Sequence, residues 1–518
     1  SEDSKPDLNL FSHKFSSVST DSRTIKNGEL FLALRGDRFD GHKFVFNLIE
    51  QGVKGFVVER GYYNRLTDGE KDEINRNNIY LFEVADTLKA LGMLARFQRV
   101  RSGVKVVAIT GSNGKTTTRK MTASIFEQHF KTLSTQGNLN NEIGVPLTLL
   151  KLSKDHDWAV VEMGMNHPGE ISRLSRIACP DIAIITNTTD AHLEGLGSVE
   201  AVAMAKSEIT DGMNQGSTII INRDDPRWKI ISDKADKSPN VSAKIFFGLD
   251  KVSASFDSDT ENRDILVKAS VSAKDILFNQ ESIAFSLRIK QSNKDYEELS
   301  CYSDLKINTP APFMLNNAVA ATCAAVAAHV PESSIKKGLL MFEPVAGRMK
   351  IINIGQHQGS GQAFTVSQSN NGNQSYDANQ SYDANQSVKN SWLHIIDDTY
   401  NANPGSVKAA IHTLQKLSTN GESIAVIGDM LELGEKSAEL HFDIGQTAAK
   451  SGIERLYAYG DIALNIVKGA ENCGLGKDKI VHGTKEEIVE AVLKYIQNSG
   501  YGSPDTNTAE NMEKIEQQ

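Results

Sequence analysis

The chain has 518 residues, of which 39% are hydrophobic and 23% are charged, and its formal net charge is −9 at pH 7. A chain of this length exceeds a single hydrophobic core and predicts about three domains. The acidic balance excludes a general nucleic-acid-binding protein, whose surface would be basic. No apolar run approaches the ~20 residues needed to cross a bilayer, so we expect neither a nucleic-acid nor a membrane partner.

The cysteines and the amino-terminal residues indicate a cellular location. The sequence begins SEDSKPDLNL, which is acidic and polar and has neither the charged nor the apolar region of an export signal. The four cysteines are far apart and have no C-x-x-C spacing; they are Cys179, Cys301, Cys323 and Cys473. Scattered cysteines of this kind are typical of reduced thiols, so the sequence predicts a cytoplasmic protein.

The first predicted segment, residues 1–100, alternates short strand-like and helix-like pieces and has no nucleotide-binding loop. Two compact polar clusters lie in it, one before a predicted strand and one before a predicted helix. They are Thr20, Asp21, Ser22 and Arg23, and then Arg38, Asp40, Gly41 and His42. Because Asp and Ser cap helices and fill turns in any protein, the residues alone favour local turn chemistry, with ligand binding as the alternative.

The strongest motif is a glycine-rich loop within VKVVAITGSNGKTTT, residues 104–118. The β-branched run from Val104 to Ile109 predicts a buried strand, and a helical pattern begins at Lys115. Such a loop binds phosphate through bare backbone N–H groups and the helix dipole, while the lysine adds charge and the Thr116 hydroxyl suits magnesium. The usual P-loop has a further glycine where Ile109 stands, so a tight turn is the alternative; the strand–loop–helix context favours a nucleoside triphosphate site.

Polar side chains also follow the next strands of the second predicted segment, residues 101–346. The apolar run of DWAVVEMGM ends at Glu162, and a third predicted strand, Ile182 to Thr186, leads into a polar loop with His192. Parallel strands bind ligands at their carboxyl ends, so Glu162 is predicted to bind magnesium or orient water, and His192 is predicted to be functional. Lys206 lies in an Ala-rich helix, where its residue type alone predicts a solvated charge.

Three further features complete this segment. A short loop before an apolar helix is crowded with polar residues, and turn formation and ligand contact are equally favoured there; the residues are Asn138, Asn140, Asn141 and Glu142. Residues 245–308 change to period-two runs such as SIAFSLRIK, which predicts antiparallel strands appended to the main sheet. Asn316 and Asn317 follow at the start of a small-residue helix, where either residue is suited to cap it.

A third segment, residues 347–518, begins at the sequence GRMK. Residues 355–391 are highly polar and repeat NQSYDA in tandem, so we expect a mobile surface insertion without a function. The α/β alternation then resumes and predicts a second doubly wound sheet. Its first strand leads into DDTYNANP, a loop that is more polar than a turn requires and that includes Asp398 and Asn403. Residues 502–518 are polar and predicted to be frayed.

Together these stretches resemble the Mur ligases, ATP-dependent amide-forming enzymes of peptidoglycan precursor synthesis. The similar stretches are TGSNGKTTT, EMGMNHPGEI, AKSEI, DDTYNANPGSVKAAI and IGDMLELGE, and they cover nearly the whole chain apart from the insertion and the tail. The resemblance implies an α/β fold with three domains. These are a UDP-substrate-binding domain (1–100), a central P-loop ATPase with a mainly parallel sheet and appended antiparallel strands (101–346), and a Rossmann-like doubly wound ligase domain (347–518).

The DDTYNANP and GDMLELGE stretches are similar to the family members that join D-alanyl-D-alanine to a UDP-N-acetylmuramoyl-tripeptide. This implies a monomeric ligase in which the tripeptide carboxylate attacks the γ-phosphate of ATP and the dipeptide amine then attacks the acyl phosphate. One alternative is a sister Mur ligase, or a folylpolyglutamate synthetase-like enzyme, that adds a single amino acid. A diamino-acid-adding relative is expected to show Asn-Pro-Arg, whereas Gly405 follows Pro404 here.

The other alternative is a nucleotide-binding regulatory protein without turnover. It predicts that one or more of the implied catalytic residues are replaced by another residue type, and the sequence shows no such replacement. Those residues are Lys115, Glu162, His192 and Lys206.

The resemblance implies a role for each of these residues. Lys115 contacts the β- and γ-phosphates, and Thr116, Glu162 and His192 match magnesium-binding positions. Lys206 matches a lysine that the family carbamylates, which supplies a ligand for a second magnesium ion. The implied nucleotide-contacting residues are Gly111, Ser112, Asn113, Gly114, Lys115, Thr116, Thr117, Asn317, Arg348, Asp398 and Asn403. The residues implied to face the UDP-sugar peptide are Thr20, Asp21, Ser22, Arg23, Asp40, Gly41, His42, Asn138 and Asn141.

Overall fold

A computed structural model describes residues 13–36, 39–189, 196–249, 266–279, 281–292, 297–355, 392–418 and 421–499. These residues divide into two compact units. The first unit holds the described residues up to Phe342 except 308–313. The second unit holds 308–313 and the described residues from Glu343 onward. Arg38, His192, all of the predicted insertion (355–391) except Gly355, and the predicted frayed tail (502–518) lie outside the described residues.

The amino-terminal part of the first unit is built on a small parallel sheet. The strands of this part of the unit are β1 (Val18–Ser19), β2 (Leu30–Leu32), β3 (Arg35–Gly36), β4 (Phe39–Asp40), β5 (Gly55–Glu59) and β6 (Tyr80–Val84). The helices are α1 (Val45–Glu50), α2 (Asp68–Arg76) and α3 (Thr87–Ser102). The sheet order is β1-β2-β5-β6, and β3 pairs with β4 as an antiparallel hairpin. Phe31 and Phe56 are fully buried in its core, which anchors the turns that carry both polar clusters.

The rest of the first unit is organised around a nine-stranded sheet. Its strands are β7 (Lys105–Thr110), β8 (Thr132–Ser134), β9 (Trp158–Glu162), β10 (Ile182–Ile185), β11 (Ser217–Asn222), β12 (Val241–Gly248), β13 (Leu266–Phe278), β14 (Ile283–Ser292) and β15 (Glu297–Ile307). The order is β15-β14-β13-β12-β11-β10-β7-β9-β8. Neighbours from β8 to β13 pair in parallel, and β13, β14 and β15 pair antiparallel. The predicted parallel sheet with appended antiparallel strands is therefore confirmed.

Helices cover this sheet, which explains why its central strands are unbroken apolar runs. They are α4 (Lys115–Phe126), α5 (Gly144–Leu149), α6 (Glu170–Ala178), α7 (Val199–Ser207), α8 (Trp228–Asp236), α9 (Phe313–Ala327) and α10 (Glu332–Leu340). Short 3-10 helices are found at Gly41–Phe44, Tyr63–Arg65 and Glu208–Gly212. Helix α9 begins at Phe313, ahead of both Asn316 and Asn317. The predicted capping role of these asparagines is therefore wrong, because the helix starts one turn earlier.

The second unit has two small sheets. Its strands are β16 (Lys350–Gly355), β17 (Trp392–Asp397), β18 (Ile424–Gly428), β19 (Arg455–Tyr459) and β20 (Ile480–Gly483), and its helices are α11 (Pro404–Leu417), α12 (Ser437–Lys450), α13 (Leu464–Asn472) and α14 (Lys485–Asn498). Short 3-10 helices lie at Gly434–Lys436 and Lys477–Lys479. Strands β16 and β17 pair antiparallel, whereas β18, β19 and β20 form a parallel sheet. Ile444, Leu456 and Ile466 are fully buried between that sheet and its helices.

Two other sequence-based expectations concern the described residues. All four cysteines are free, and Cys179 and Cys323 are buried. No helix in the described ranges is both long enough and apolar enough to cross a membrane. The predicted domain boundaries near residues 100 and 346 stay predictions.

Candidate active site

The glycine-rich loop joins the carboxyl end of β7 to the first turn of α4. Gly111 has φ 152° and Gly114 has φ 79°, a conformation that side chains rarely adopt. A Cβ atom on Gly111 would lie 1.8 Å from Thr186 Oγ1, and one on Gly114 would lie 2.3 Å from Asn317 Oδ1. No side chain caps the start of α4. The start of α4 therefore has the uncapped helix terminus that the phosphate-loop prediction requires.

Replacing Gly114 with alanine is expected to weaken both folding and nucleotide binding. The left-handed conformation alone costs an alanine roughly 1–2 kcal/mol, and the added methyl group would also displace Asn317. Gly216 is a matched control because it has φ 82° and no atom within 4 Å of the position that a Cβ would take. Thermal unfolding and ADP titration of G114A and G216A would separate the cost of the left-handed backbone, which both variants share, from the cost of displacing Asn317, which only G114A has. Equal losses in both variants would contradict the contact with Asn317.

Residues that follow β10 hold the glycine-rich loop in place. The backbone oxygen of Asn187 accepts a hydrogen bond from Ser112 N, and the Oδ1 of Asn187 accepts one from Asn113 N, each at 2.9 Å. Thr186 Oγ1 donates to Asn113 O at 2.6 Å, and Asn113 Nδ2 donates to Thr189 Oγ1 at 3.1 Å. Sequence reasoning did not single out Thr186, Asn187 or Thr189. The signal was present, because a run of polar residues directly follows a buried strand.

Two lysines lie close to the loop. Lys115 Nζ donates to Gly111 O at 2.9 Å and to Ser112 O at 3.1 Å, so the side chain folds back over the loop. Lys206 is 1% exposed. Burial, and then repulsion from Lys115, lower the pKa of Lys206 well below its ordinary value. The solvated charge expected from residue type alone is therefore wrong for Lys206, because α7 packs this side chain into the interior.

Glu162 ends β9 beside the loop and is 1% exposed. Its Oε1 accepts hydrogen bonds from Thr116 Oγ1 at 3.1 Å and from Asn140 Nδ2 at 2.9 Å. Its Oε2 accepts from Arg119 Nε at 3.2 Å. The structure thus joins two predicted site residues with Asn140 of the polar loop and with Arg119, which the sequence did not single out. Arg119 could have been found from its position one helical turn after Lys115, on the same face of α4.

These donors fit magnesium. A hydroxyl and a carboxylate oxygen are hard oxygen ligands of the kind that Mg²⁺ prefers. The described parts of the chain contain no cluster of three or more His, Cys, Asp or Glu side chains that could hold a metal ion. Thr116 and Glu162 are therefore the described side chains that would hold such an ion, and magnesium in nucleotide sites commonly takes further ligands from water and phosphate.

Two further predicted residues lie on helices at the loop. Thr117 is buried in the first turn of α4, at 4% exposure. Asn317 is 5% exposed, and its Oδ1 accepts a hydrogen bond from Thr118 Oγ1 at 3.3 Å. The structure thus places Asn317 of α9 directly against the glycine-rich loop, far from it in sequence.

Asn138 and Asn141 are exposed in the loop that also carries Asn140. Asn141 Oδ1 accepts hydrogen bonds from Ile143 N at 3.1 Å and from Gly144 N at 2.9 Å. Asn138 O accepts one from Asn140 N at 2.7 Å. Asn141 therefore forms the turn that leads into α5, and Asn140 of the same loop contacts Glu162.

The first polar cluster, Thr20 to Arg23, is the turn that follows β1. Asp21 accepts hydrogen bonds from Arg23 Nε at 2.9 Å and from Arg23 Nη2 at 2.7 Å. This pairing holds the pKa of Asp21 at about 2. Arg23 is exposed, and Thr20 and Ser22 are partly exposed. The turn therefore presents an ionised pair at the carboxyl end of a parallel strand.

The second polar cluster is built around His42, which is 6% exposed. Its Nδ1 lies 2.7 Å from Asp40 Oδ1, and its Nε2 accepts a hydrogen bond from Glu59 N at 3.0 Å. A Cβ atom on Gly41 would lie 2.9 Å from Leu34 O. Both imidazole nitrogens of His42 are thus satisfied within the protein. This geometry favours the turn interpretation for His42.

In the second unit, the loops around β17 carry the remaining predicted residues. Arg348 stacks on Tyr400, with its guanidinium carbon 4.4 Å from the ring centroid. Gly347 N donates to Asp397 Oδ2 at 2.7 Å, and Tyr400 N donates to Gly347 O at 3.0 Å. The GRMK segment is thereby fixed to the DDTYNANP loop.

Asn403 caps α11, since its Oδ1 accepts a hydrogen bond from Ser406 N at 2.9 Å. This contact gives Asn403 a structural role that the sequence did not predict. Asp398 is the neighbouring acidic residue. Burial raises the pKa of Asp398 to about 6, although the Met349 N–H group and the Arg348 charge oppose the shift.

A pH-dependent stability is expected from Asp398. A carboxyl whose folded pKa lies above its unfolded pKa favours folding at low pH, and this contribution is lost as pH rises from about 4 to about 6. D398N should remove that loss and raise the free energy of unfolding at pH 7 by at most about 3 kcal/mol. Asp461, exposed in the same unit, offers the control D461N. The measurement is denaturant unfolding from pH 4 to pH 8. If the free energy of unfolding of D398N and that of the wild type changed with pH in the same way, the raised pKa of Asp398 would be contradicted.

Three family models match the chain. They are the Mur ligase family catalytic domain at residues 14–99, the Mur ligase middle domain at 109–325 and the Mur ligase glutamate ligase domain at 386–501. UDP-N-acetylmuramoyl-tripeptide--D-alanyl-D-alanine ligase from Escherichia coli (strain K12) is 32% identical over 443 residues, which are 86% of this chain and 81% of that protein. The chain belongs to the Mur ligase family. The resemblance inferred from the motifs is therefore confirmed.

Other Mur ligases agree over similar lengths. The ligase of the same name from Bacillus subtilis (strain 168) is 30% identical over 476 residues, 92% of this chain and 86% of that protein. A crystal structure of MurF from Acinetobacter baumannii has a TM-score of 0.70 and 31% identity, and the match covers 93% of this chain and 87% of that chain. The α/β fold class expected for a Mur ligase is confirmed as well.

Proposed function

We propose that this Mur ligase joins D-alanyl-D-alanine to a UDP-N-acetylmuramoyl-tripeptide at the expense of ATP, in peptidoglycan precursor synthesis. The observation that carries this proposal is the similarity to ligases of that name over 81% and 86% of their length. A phosphate loop held by Asn187 and Asn317, with Thr116 and Glu162 beside it, supports the use of a nucleotide. The free thiols agree with a cytoplasmic location, which we also propose.

Nucleotide binding follows from the loop geometry. The uncapped N–H groups of α4 and the loop bind the phosphates, and Lys115 moves from the loop carbonyls to the β- and γ-phosphates. Thr116 and Glu162 would hold magnesium, which neutralises phosphate charge when it is bound. His192 is a further proposed ligand from the family resemblance.

The chemistry consists of two displacements. A carboxylate oxygen of the tripeptide forms a bond to the γ-phosphorus, the bond to the β,γ-bridging oxygen breaks, and ADP leaves. The amine of D-alanyl-D-alanine then attacks the carbonyl carbon of the acyl phosphate, loses a proton and releases phosphate. Phosphoryl transfer depends on positioning and charge neutralisation more than on covalent catalysis, and Lys115 and the loop N–H groups supply both.

Lys206 is proposed to carry a carbamate. Its amine is buried beside Lys115, and burial favours the neutral form, which is the form that reacts with CO₂. Addition of CO₂ with loss of one proton turns a buried amine into an anionic oxygen donor. Such a group would suit the second magnesium ion that the family resemblance implies.

The remaining contacts are proposed from the family resemblance. Arg348, Asp398 and Asn403 would contact the nucleotide, and the capping bond of Asn403 shows that its side chain is also needed by α11. The clusters at residues 20–23 and 40–42 would face the UDP end of the substrate. The Asp21 carboxylate is already paired with Arg23, and the His42 ring is bonded within the protein. Backbone groups and the Arg23 side chain are therefore more available to the substrate than the side chains of Asp21 and His42.

The test is magnesium-dependent release of phosphate from ATP in the presence of a UDP-muramoyl tripeptide. D-alanyl-D-alanine is compared with single amino acids as the acceptor. We expect release with the dipeptide alone. Release with a single amino acid alone would assign the chain to a sister activity, and no release with any acceptor would favour a regulatory protein.

A further inference from the structure

The pairing of β7 with β10 continues past the ends of both strands into the glycine-rich loop. Ile185 at the end of β10 pairs with Thr110 at the end of β7. Beyond this pair, the backbone oxygen of Asn187 accepts a hydrogen bond from Ser112 N at 2.9 Å. The residues that follow β10 are therefore attached to the loop at the point where regular strand pairing stops.

The side-chain amide of Asn187 takes the place of a further peptide group. Its Oδ1 accepts a hydrogen bond from Asn113 N at 2.9 Å, and its Nδ2 donates to Asn113 O at 3.2 Å. A carboxamide offers the same N–H donor and carbonyl acceptor as the backbone, so it can pair with one residue as a neighbouring strand would. One side chain thus holds both polar groups of the Asn113 backbone.

Thr186 adds a second contact to the same part of the loop. Its Oγ1 donates to Asn113 O at 2.6 Å. The same oxygen lies 1.8 Å from the position that a Cβ atom on Gly111 would take. The absence of a side chain at Gly111 therefore allows Thr186 to approach the loop this closely.

The segment that holds the loop is itself fixed by residues at the carboxyl end of β11. Asn222 Nδ2 donates to the backbone oxygen of Thr186 at 2.9 Å. Asp225 accepts a hydrogen bond from the Thr188 hydroxyl at 2.9 Å and another from the Thr188 N–H group. Asn222 and Asp225 are both buried. Because a buried and hydrogen-bonded network is rigid, the residues after β10 have a defined position from which to hold the loop.

We propose that Asn187, together with Thr186, is a positioning residue that orders the glycine-rich loop before the nucleotide binds. These two side chains fix the Asn113 backbone, so the loop and the start of α4 that follows it are presented in one arrangement. A site that is already ordered loses less conformational entropy on binding, which raises its affinity. The inference rests on the proposed use of a nucleotide at this loop, and it does not depend on the acceptor.

The test compares N187A with the matched control N214A. Asn214 precedes β11 at the opposite end of the strands, and its Nδ2 donates to Cys179 O at 2.9 Å and to Asp181 Oδ1 at 3.0 Å. Each variant loses two side-chain hydrogen bonds, so we expect comparable falls in unfolding temperature. ADP titration should show binding at least about tenfold weaker in N187A and unchanged binding in N214A.

Amide hydrogen exchange without nucleotide identifies the cause of the weaker binding, because it reports local opening of the backbone. Peptides that cover residues 111–114 should exchange faster in N187A than in the wild type or in N214A. If Asn187 instead contacted the nucleotide directly, ADP binding would weaken while exchange in the free protein stayed the same.

Variants of Thr186 test the same idea with a smaller change and serve if N187A does not fold. T186V removes the hydroxyl group at nearly constant volume, whereas T186S keeps it. Asn187 Nδ2 still donates to Asn113 O in T186V, so we expect ADP binding to weaken by only about threefold. T186S should bind ADP as the wild type does.

Four results would overturn the proposal. They are wild-type ADP affinity in N187A, wild-type ADP affinity in T186V, equally weakened ADP binding in N214A and N187A, and weakened binding in N187A without faster exchange at residues 111–114. By contrast, a wild-type protein that failed to bind ADP would overturn the proposed use of a nucleotide itself.

Discussion

Replacing Lys115 with alanine is expected to abolish ligation while the fold stays intact. The lysine charge is proposed to act on the β- and γ-phosphates, where loss of a preorganised positive group costs on the order of 10²–10³ in rate or more. Two of its hydrogen bonds go to the backbone carbonyls of Gly111 and Ser112, which are neutral groups, so the loss of these bonds costs less than the loss of a buried ion pair. Catalysis is therefore expected to suffer far more than folding.

Phosphate release from ATP and thermal unfolding would be measured on K115A together. Lys154, which is exposed in a turn of the same unit, provides the control K154A, expected to match the wild type in both assays. Substantial ligation by K115A would remove the basis for assigning the loop to phosphate binding. A large fall in its unfolding temperature would instead show that Lys115 is mainly structural.

Replacing Glu162 with glutamine is expected to reduce both activity and stability. The change removes the proposed metal-binding carboxylate and leaves the buried Arg119 without its counterion. Breaking a buried ion pair from one side typically costs about 3–5 kcal/mol. The glutamine amide would also turn N–H groups toward Arg119 or toward Thr116 and Asn140, all of which are donors in the present arrangement.

The matched control is E142Q. Glu142 pairs with Arg173 at 2.5 Å near the surface, and pairs of this kind are typically worth about 0–1 kcal/mol. Denaturant unfolding should therefore separate the two variants clearly, and phosphate release should fall only in E162Q. An E162Q protein with wild-type stability would show that Arg119 finds another partner, and wild-type turnover would exclude Glu162 as a metal ligand.

Local sequence patterns were sufficient for the main elements. The run STIIIN forms β11 over Ser217–Asn222, and the predicted strand before the glycine loop forms β7 over Lys105–Thr110. Both strands contain short β-branched apolar runs bounded by polar residues, a pattern that favours burial in a parallel sheet. The position of the glycine-rich loop between a strand and a helix was equally predictable, because its glycines and lysine are adjacent in the chain.

The partners of site residues were less predictable when they lay far apart in sequence. Nothing near Glu162 in the chain indicates that Arg119 and Asn140 hold its two oxygens. The burial of Lys206 was also hidden, since an Ala-rich helix can present a lysine to water or to the interior. Asn317 reaches the glycine loop only because α9 packs against it.

The sequence by itself determined the family, the parallel sheet and the strand–glycine loop–helix geometry, because each depends on residues that are neighbours along the chain. Only the tertiary structure decided which oxygen of Glu162 is held by Arg119 and that Lys206 is enclosed. Those facts depend on how β9, α4 and α7 are placed around a common edge of the sheet. Side-chain contacts between distant elements are fixed by packing geometry, which periodicity and residue type do not record.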